Sequence, residues 1–168
     1  MADYYTQFSV CIPVAPAHIG AVRAWYARWE EQADAAEVAF HGDEEDADEA
    51  VMAAYGGSED AYYARCRGFG RSLESADDGR LELLVSSDEG CGNVEGAVGY
   101  LAEMLAACMT DNAVFLSWAN SCSKPRSGAF GGGGVVIRGN GDHVWAIDHG
   151  AIEAALEGGL GESCILGA

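Results

Sequence analysis

Residues 81–119 read LELLVSSDEGCGNVEGAVGYLAEMLAACMTDNAVFLSWA. LELLVSS has the composition of a strand. In the helix that follows, Val94, Ala97, Val98, Leu101, Met104, Leu105 and Cys108 recur on one face at helical spacing. Asn93 stands where a helix cap is expected, and Glu95 falls in the first turn, where the helix dipole favours an acid. AVFLSWA, residues 113–119, is near-continuously apolar and reads as a central strand. A strand, a helix and a strand in this order imply a right-handed crossover, with the two strands parallel within one sheet.

Working outward, FGRSLES lies just before this unit, and the intervening ADDGR carries Asp78-Gly79, a strong hairpin signal. Near the start, residues 7–13 alternate Phe8, Val10 and Ile12 on one face, as a half-buried strand does. Pro16 sits where a helix can begin, and Ile19, Val22, Tyr26 and Trp29 follow at helical spacing beside Trp25. Trp25 and Trp29 are four apart on that helix, so both are expected in the core. EAVMAAY forms a further short helix, with Val51, Met52 and Tyr55 inward. Downstream, GGVVIRG and HVWAIDH flank Asn140-Gly141, a second hairpin signal, and AIEAALEG closes the chain as a short helix before a loose glycine-rich tail at 158–168. The order predicts an α+β fold: a ferredoxin-like β-α-β-β-α-β core with an added C-terminal hairpin and helix. Residues 1–168 form one domain, with an acidic insertion at about 30–60.

Composition limits the function. The chain carries 27 acidic residues against 9 basic ones, a formal net charge of −18. Direct nucleic-acid binding is disfavoured, because phosphate affinity needs basic clusters. No apolar run of membrane-spanning length and no export signal is present, so a cytoplasmic protein without membrane contact is expected. Six scattered cysteines without a C-x-x-C spacing read as free thiols rather than a disulfide frame or zinc site. The acidity itself has three readings: mimicry of a phosphate array that fills a basic groove, adaptation to high salt, or the bias of a GC-rich genome.

Twelve of the acids fall in residues 30–60, which hold no lysine or arginine. Asp43, Glu44, Glu45, Asp46, Asp48 and Glu49 make the densest run. A charge run of this kind is either a solvated loop or a surface that steers the molecule to a basic protein partner. The concentration of the acids, rather than an even spread, favours the partner.

The other place to look is SCSKPRSGAFGGGGVVI, which holds the one lysine of the chain. If the crossover is as expected, the loops after residues 87 and 119 leave the same sheet edge, with the start of the first strand between them. Asp88, Glu89 and Asn93 then approach Asn120, Cys122, Lys124 and Arg126. Two cations, a glycine-rich loop and a helix N-terminus can hold a carboxylate or phosphate. The same residues also suit a plain structural role: Lys124 and Arg126 pairing with Asp88 and Glu89, and the glycines letting the chain run beneath Trp118 or Trp145. Cys122 with His143 or His149 and Asp148 has the residue types of a nucleophile, base and orienter, and Asp142, His143, Asp148 and His149 those of a metal set. Neither carries a local signature, so no catalytic residue, metal ligand or cofactor is assigned. His18 and His41 read as surface residues.

S-D-E-x-x-G-N ahead of the helix (Ser87 to Asn93), then W-A-x-x-C-S-K-P-R (Trp118 to Arg126) and Phe130 followed by glycines, resembles a family of small uncharacterised proteins of bacteria, phages and mobile elements. The resemblance spans about residues 81–137 and implies no activity. It implies a setting in which small acidic inhibitors of defence enzymes occur. The expected function is therefore a non-enzymatic acidic binding protein: a counter-defence inhibitor or nucleic-acid mimic, or else a toxin-immunity protein. The alternative is a small-molecule or anion-binding domain, or an enzyme, using residues 86–93 and 120–134.

Overall fold

The computed structural model describes residues 4–41, 49–76, 80–88, 92–123 and 131–146. Six strands and four α-helices follow in the order β1 (Tyr4–Val14), α1 (Ile19–His41), α2 (Glu49–Ala54), α3 (Glu59–Cys66), β2 (Phe69–Ser75), β3 (Leu81–Ser87), α4 (Val94–Cys108), β4 (Ala113–Cys122), β5 (Gly131–Arg138) and β6 (His143–Ala146). The fold is α+β. One antiparallel sheet has the order β2-β3-β1-β4-β5-β6. β3 and β4 flank β1, and each is antiparallel to it, so they run in the same sense with α4 between them in the chain. The turn at Asp78-Gly79, the helix expected in AIEAALEG and the tail at 158–168 lie outside the described residues.

β1 divides its partners by length. Residues 4–8 pair with β4, and residues 9–14 pair with β3. Where the β1–β4 ladder ends, a cleft of about 290 Å³ opens between residues 10–13 and residues 112–115.

Side-chain alternation places Phe8, Ile12 and Val14 of β1, Leu81, Leu83 and Val85 of β3, and Val114 and Leu116 of β4 in the core. α4 touches β2, β4 and β5, while α1 and α3 pack on α4. Ala97, Val98, Leu101, Met104 and Leu105 of the expected α4 face are buried, as is Tyr100, whereas Val94 and Cys108 sit at the margin of the core. Full burial of a side chain such as Leu101 is worth about 1.5–3 kcal/mol.

α1 extends well into the acidic stretch. Its inward stripe is Val22, Trp25, Trp29, Ala33 and Ala36, so both tryptophans are core residues as expected. The edge of each indole meets the Tyr100 ring, at centroid distances of 4.9 Å. The insertion expected from residue 30 is therefore helix as far as His41. Ala, Glu and Gln are strong helix formers, and no Gly or Pro interrupts them before Gly42. α2 spans EAVMAA, with Val51 and Tyr55 packed against the core. No helix among the described residues is long and apolar enough to cross a membrane.

The four-glycine run has a steric reason at Gly133. It pairs with Trp118, and a Cβ there would come within 2.5 Å of the indole ring. Trp118 then meets Trp145 edge-on, with centroids 5.5 Å apart.

Among the described residues, the Tyr100 hydroxyl is a buried polar group with no hydrogen-bond partner. An unsatisfied buried donor costs about 1–3 kcal/mol. Tyr100→Phe should therefore leave the urea unfolding free energy unchanged or raise it by about 1 kcal/mol. A fall of that size would mean that the hydroxyl is bonded in solution.

Candidate functional site

One end of the sheet gathers the residues singled out in the sequence. The end of β3, the start of β1 and the end of β4 lie side by side there. The Gly92 amide donates to the Thr6 carbonyl at 3.1 Å, and the Thr6 hydroxyl donates to the Asn120 side-chain carbonyl at 3.1 Å. The Phe8 amide donates to the Ser87 hydroxyl at 3.4 Å. Gly92 is held so closely that a Cβ would fall 2.5 Å from the Thr6 carbonyl oxygen and 2.9 Å from the Phe8 ring. Asp88, Asn93 and Asn120 thus sit on adjoining elements at this end. Glu89, Lys124 and Arg126 lie outside the described residues, as does the side chain of Cys122.

Asn93 is committed to structure. Its side-chain oxygen accepts the Gly96 amide at 2.9 Å and caps α4. Its amide nitrogen donates to the carbonyls of Ala64 at 2.8 Å and Arg67 at 3.0 Å, tying the end of α3 to the start of α4. Gly96 allows this approach, since a Cβ there would meet the Asn93 amide at 2.5 Å.

Beside this end lies a cleft of about 340 Å³, between α1, the end of α3 and the start of β2, with Asp88 on its wall. Arg67 and Arg71 line it, and both are engaged by acids of α1. The Arg71 Nε donates to Glu30 at 2.6 Å, and its guanidinium lies 4.0 Å over the Trp29 ring. Glu37 accepts from both the Tyr62 hydroxyl and Arg67 Nη2. The Tyr62 hydrogen bond, with Arg67 beside it, holds the Glu37 carboxyl below the usual carboxylate range against the opposing effect of burial. Burial, reinforced by the Glu37 carboxylate, pushes the Tyr62 hydroxyl up to about 12. Burial likewise raises Tyr55 to about 12, helped by its contact with Cys66 Sγ at 3.6 Å.

α3 and its arginines were the part that sequence reasoning missed. Ser58, whose hydroxyl accepts the Ala61 amide at 3.3 Å, followed by Glu59 and Asp60 in the first turn, is a helix-start signal that marks it. Arg65 Nη2 reaches both carboxylate oxygens of Glu103 on α4 at 3.0 Å.

The remaining candidates separate. Ile137 pairs with both His143 and Val114, so His143 lies near the opposite end of β4 from Cys122. That is about 25 Å of strand away, and a Cys122–His143 pair is not formed. Asp142 closes the tight turn instead: its amide donates to the Asn140 side chain at 3.0 Å. Asp148 and His149 lie outside the described residues. No three His, Cys, Asp or Glu side chains are grouped as metal ligands among the described residues. Cys11 is exposed, Cys66 buried and Cys108 half-buried, all as free thiols, and burial pushes the pKa of each thiol up, so each ionises less readily. His41 is exposed at the end of α1, as expected, and His18 is half-buried. Comparison with protein-family models, with curated proteins and with solved structures finds no match to this chain.

Two outcomes follow from this geometry. Asn93→Ala removes a cap and leaves two carbonyls short of a donor, so the urea midpoint should fall by the equivalent of about 1–3 kcal/mol. Separately, Tyr55 and Tyr62 ionise less readily in the fold than in the unfolded chain, so their stabilising effect is complete below pH 10 and is lost as the pH rises toward about 12. Unfolding free energy measured from pH 9 to pH 12 should decline across this window, and Tyr55→Phe should shrink the decline.

Proposed function

We propose that this chain is a non-enzymatic acidic protein that binds a basic protein partner. The observation that carries the reading is the internal use of the arginines. Arg65, Arg67 and Arg71 are spent on Glu103, Glu37 and Glu30, while the other acids among the described residues of this chain, whose net charge is −18, lie exposed or half-buried. No charged side chain among the described residues is buried. A surface with so large an excess of one sign raises the local concentration of a cationic partner and speeds its encounter. It suits a partner whose own groove is built for phosphates, such as a nucleic-acid-handling defence protein or a toxin, and we take the cytoplasm as the compartment where the two would meet. We take β2-β3-β1-β4 with α1 and α4 as a ferredoxin-like unit, extended by the β5–β6 hairpin; the strand order and the antiparallel pairing support this.

A second reading is a small-molecule or anion site at the same end of the sheet. It is favoured by the cleft of about 340 Å³ that Arg67, Arg71 and Asp88 line. The ion pairs that already occupy both arginines weigh against it.

The test is co-purification at low salt from a host-like lysate. The natural chain is compared with a variant in which Asp43, Glu44, Glu45, Asp46, Asp48 and Glu49 are replaced by Ser, Asn and Gln. A protein held by the natural chain, lost by the variant and released at 1 M salt, where screening shortens to about 3 Å, is the expected result. Identical captures by both would remove that run from the interface.

A further inference from the structure

Two large apolar side chains stand out in solvent among the described residues: Val38, 50% exposed, and Tyr63, 43% exposed. They belong to different helices, yet one ring joins them. His41 lies one turn beyond Val38 on α1, and residues three apart share a helix face. The His41 imidazole in turn sits 5.5 Å from the Tyr63 ring, tilted by 57°. Tyr62 completes the cluster, 5.6 Å from the Tyr63 ring and 6.0 Å from the His41 imidazole.

Carboxylates rim this patch. Glu59 and Asp60 lie four and three residues before Tyr63 on α3, Asp34 lies four before Val38 on α1, and all three are exposed. Glu59 approaches His41 Nδ1 at 3.9 Å. The neighbouring cations of α3 point elsewhere, Arg65 to Glu103 and Arg67 to Glu37. Glu59 and Asp60 also suit the first turn of a helix, where they favour the dipole. That role explains the acids but not the half-exposed ring, since Ala at position 63 would serve an exposed helix better.

Resting on the reading of a basic partner, we infer that the Val38–His41–Tyr63 patch is its docking point and that it selects arginine over lysine. Charge complementarity fixes the sign of the occupant. The exposed part of the Tyr63 ring fixes its type, because a guanidinium stacks on an aromatic ring while offering its N–H fork to carboxylates at the rim, and a hydrated ammonium does neither as well.

The experiment titrates the full chain at low salt with two peptides of equal length and charge, one alternating arginine and glycine, the other lysine and glycine. The arginine peptide should bind about two- to five-fold tighter, the size of an exposed cation–π contact. Tyr63→Phe should keep that preference, and Tyr63→Leu should abolish it while binding the lysine peptide as the natural chain does. Glu59→Gln with Asp60→Asn should weaken both peptides. Equal affinities for the natural chain, or a preference that survives in Tyr63→Leu, would overturn the patch while leaving the basic-partner reading in place. Binding of neither peptide would overturn both.

Discussion

β1 is the one strand on which both halves of the sheet depend. Its first five residues pair with β4 and its next six with β3, so a single eleven-residue segment joins the β2–β3 hairpin to the β4–β5–β6 meander. Everything at the candidate end of the sheet follows from this division. Because β1 starts between the ends of β3 and β4, Thr6 can meet Gly92 on one side and Asn120 on the other. α4 then spans the seam from above, with Leu101, Met104 and Leu105 fully buried.

The electrostatics divide in a similar way. Two acids of α1 are partners for β2 and the end of α3: Glu30 in a partly buried pair with Arg71, and Glu37 in an exposed pair with Arg67. Arg71 is the clearest case, sandwiched between the Glu30 carboxylate and the Trp29 ring. An exposed pair such as Arg65–Glu103 is worth about 0–1 kcal/mol, so its value lies in orientation more than in stability. The other acids of α1 among the described residues, Glu31 and Asp34, are exposed.

Much of this was legible in the chain. The alternation of Phe8, Val10 and Ile12, the long apolar face of α4 and the Asn93 cap each follow a strong local rule, and each appears as read. The acidic stretch was harder because its buried stripe is alanine. Ala33 and Ala36 are core residues, yet their weak apolar signal is drowned by the acids around them, Glu30, Glu31, Asp34 and Glu37. The first part of that stretch, residues 30–41, continues α1. The ion pairs of α1 with residues 67 and 71 are long-range and have no signature in sequence at all. Asn93 is legible as the cap, while the two carbonyls its amide also serves, those of Ala64 and Arg67, are distant in sequence and carry no local signal.

The place where β1 changes partners has a consequence for how the molecule breathes. Past Phe8 the β1–β4 ladder gives way to the cleft bounded by residues 10–13 and 112–115. No continuous row of backbone bonds there resists the separation of the two halves. The β2–β3 side and the β4–β6 side are thus the segments expected to open separately, below the threshold of global unfolding. Their coupling runs through the short shared ladder and through α4. Motion of one half against the other would turn about the first residues of β1, the same end of the sheet that carries Asp88 and Asn120.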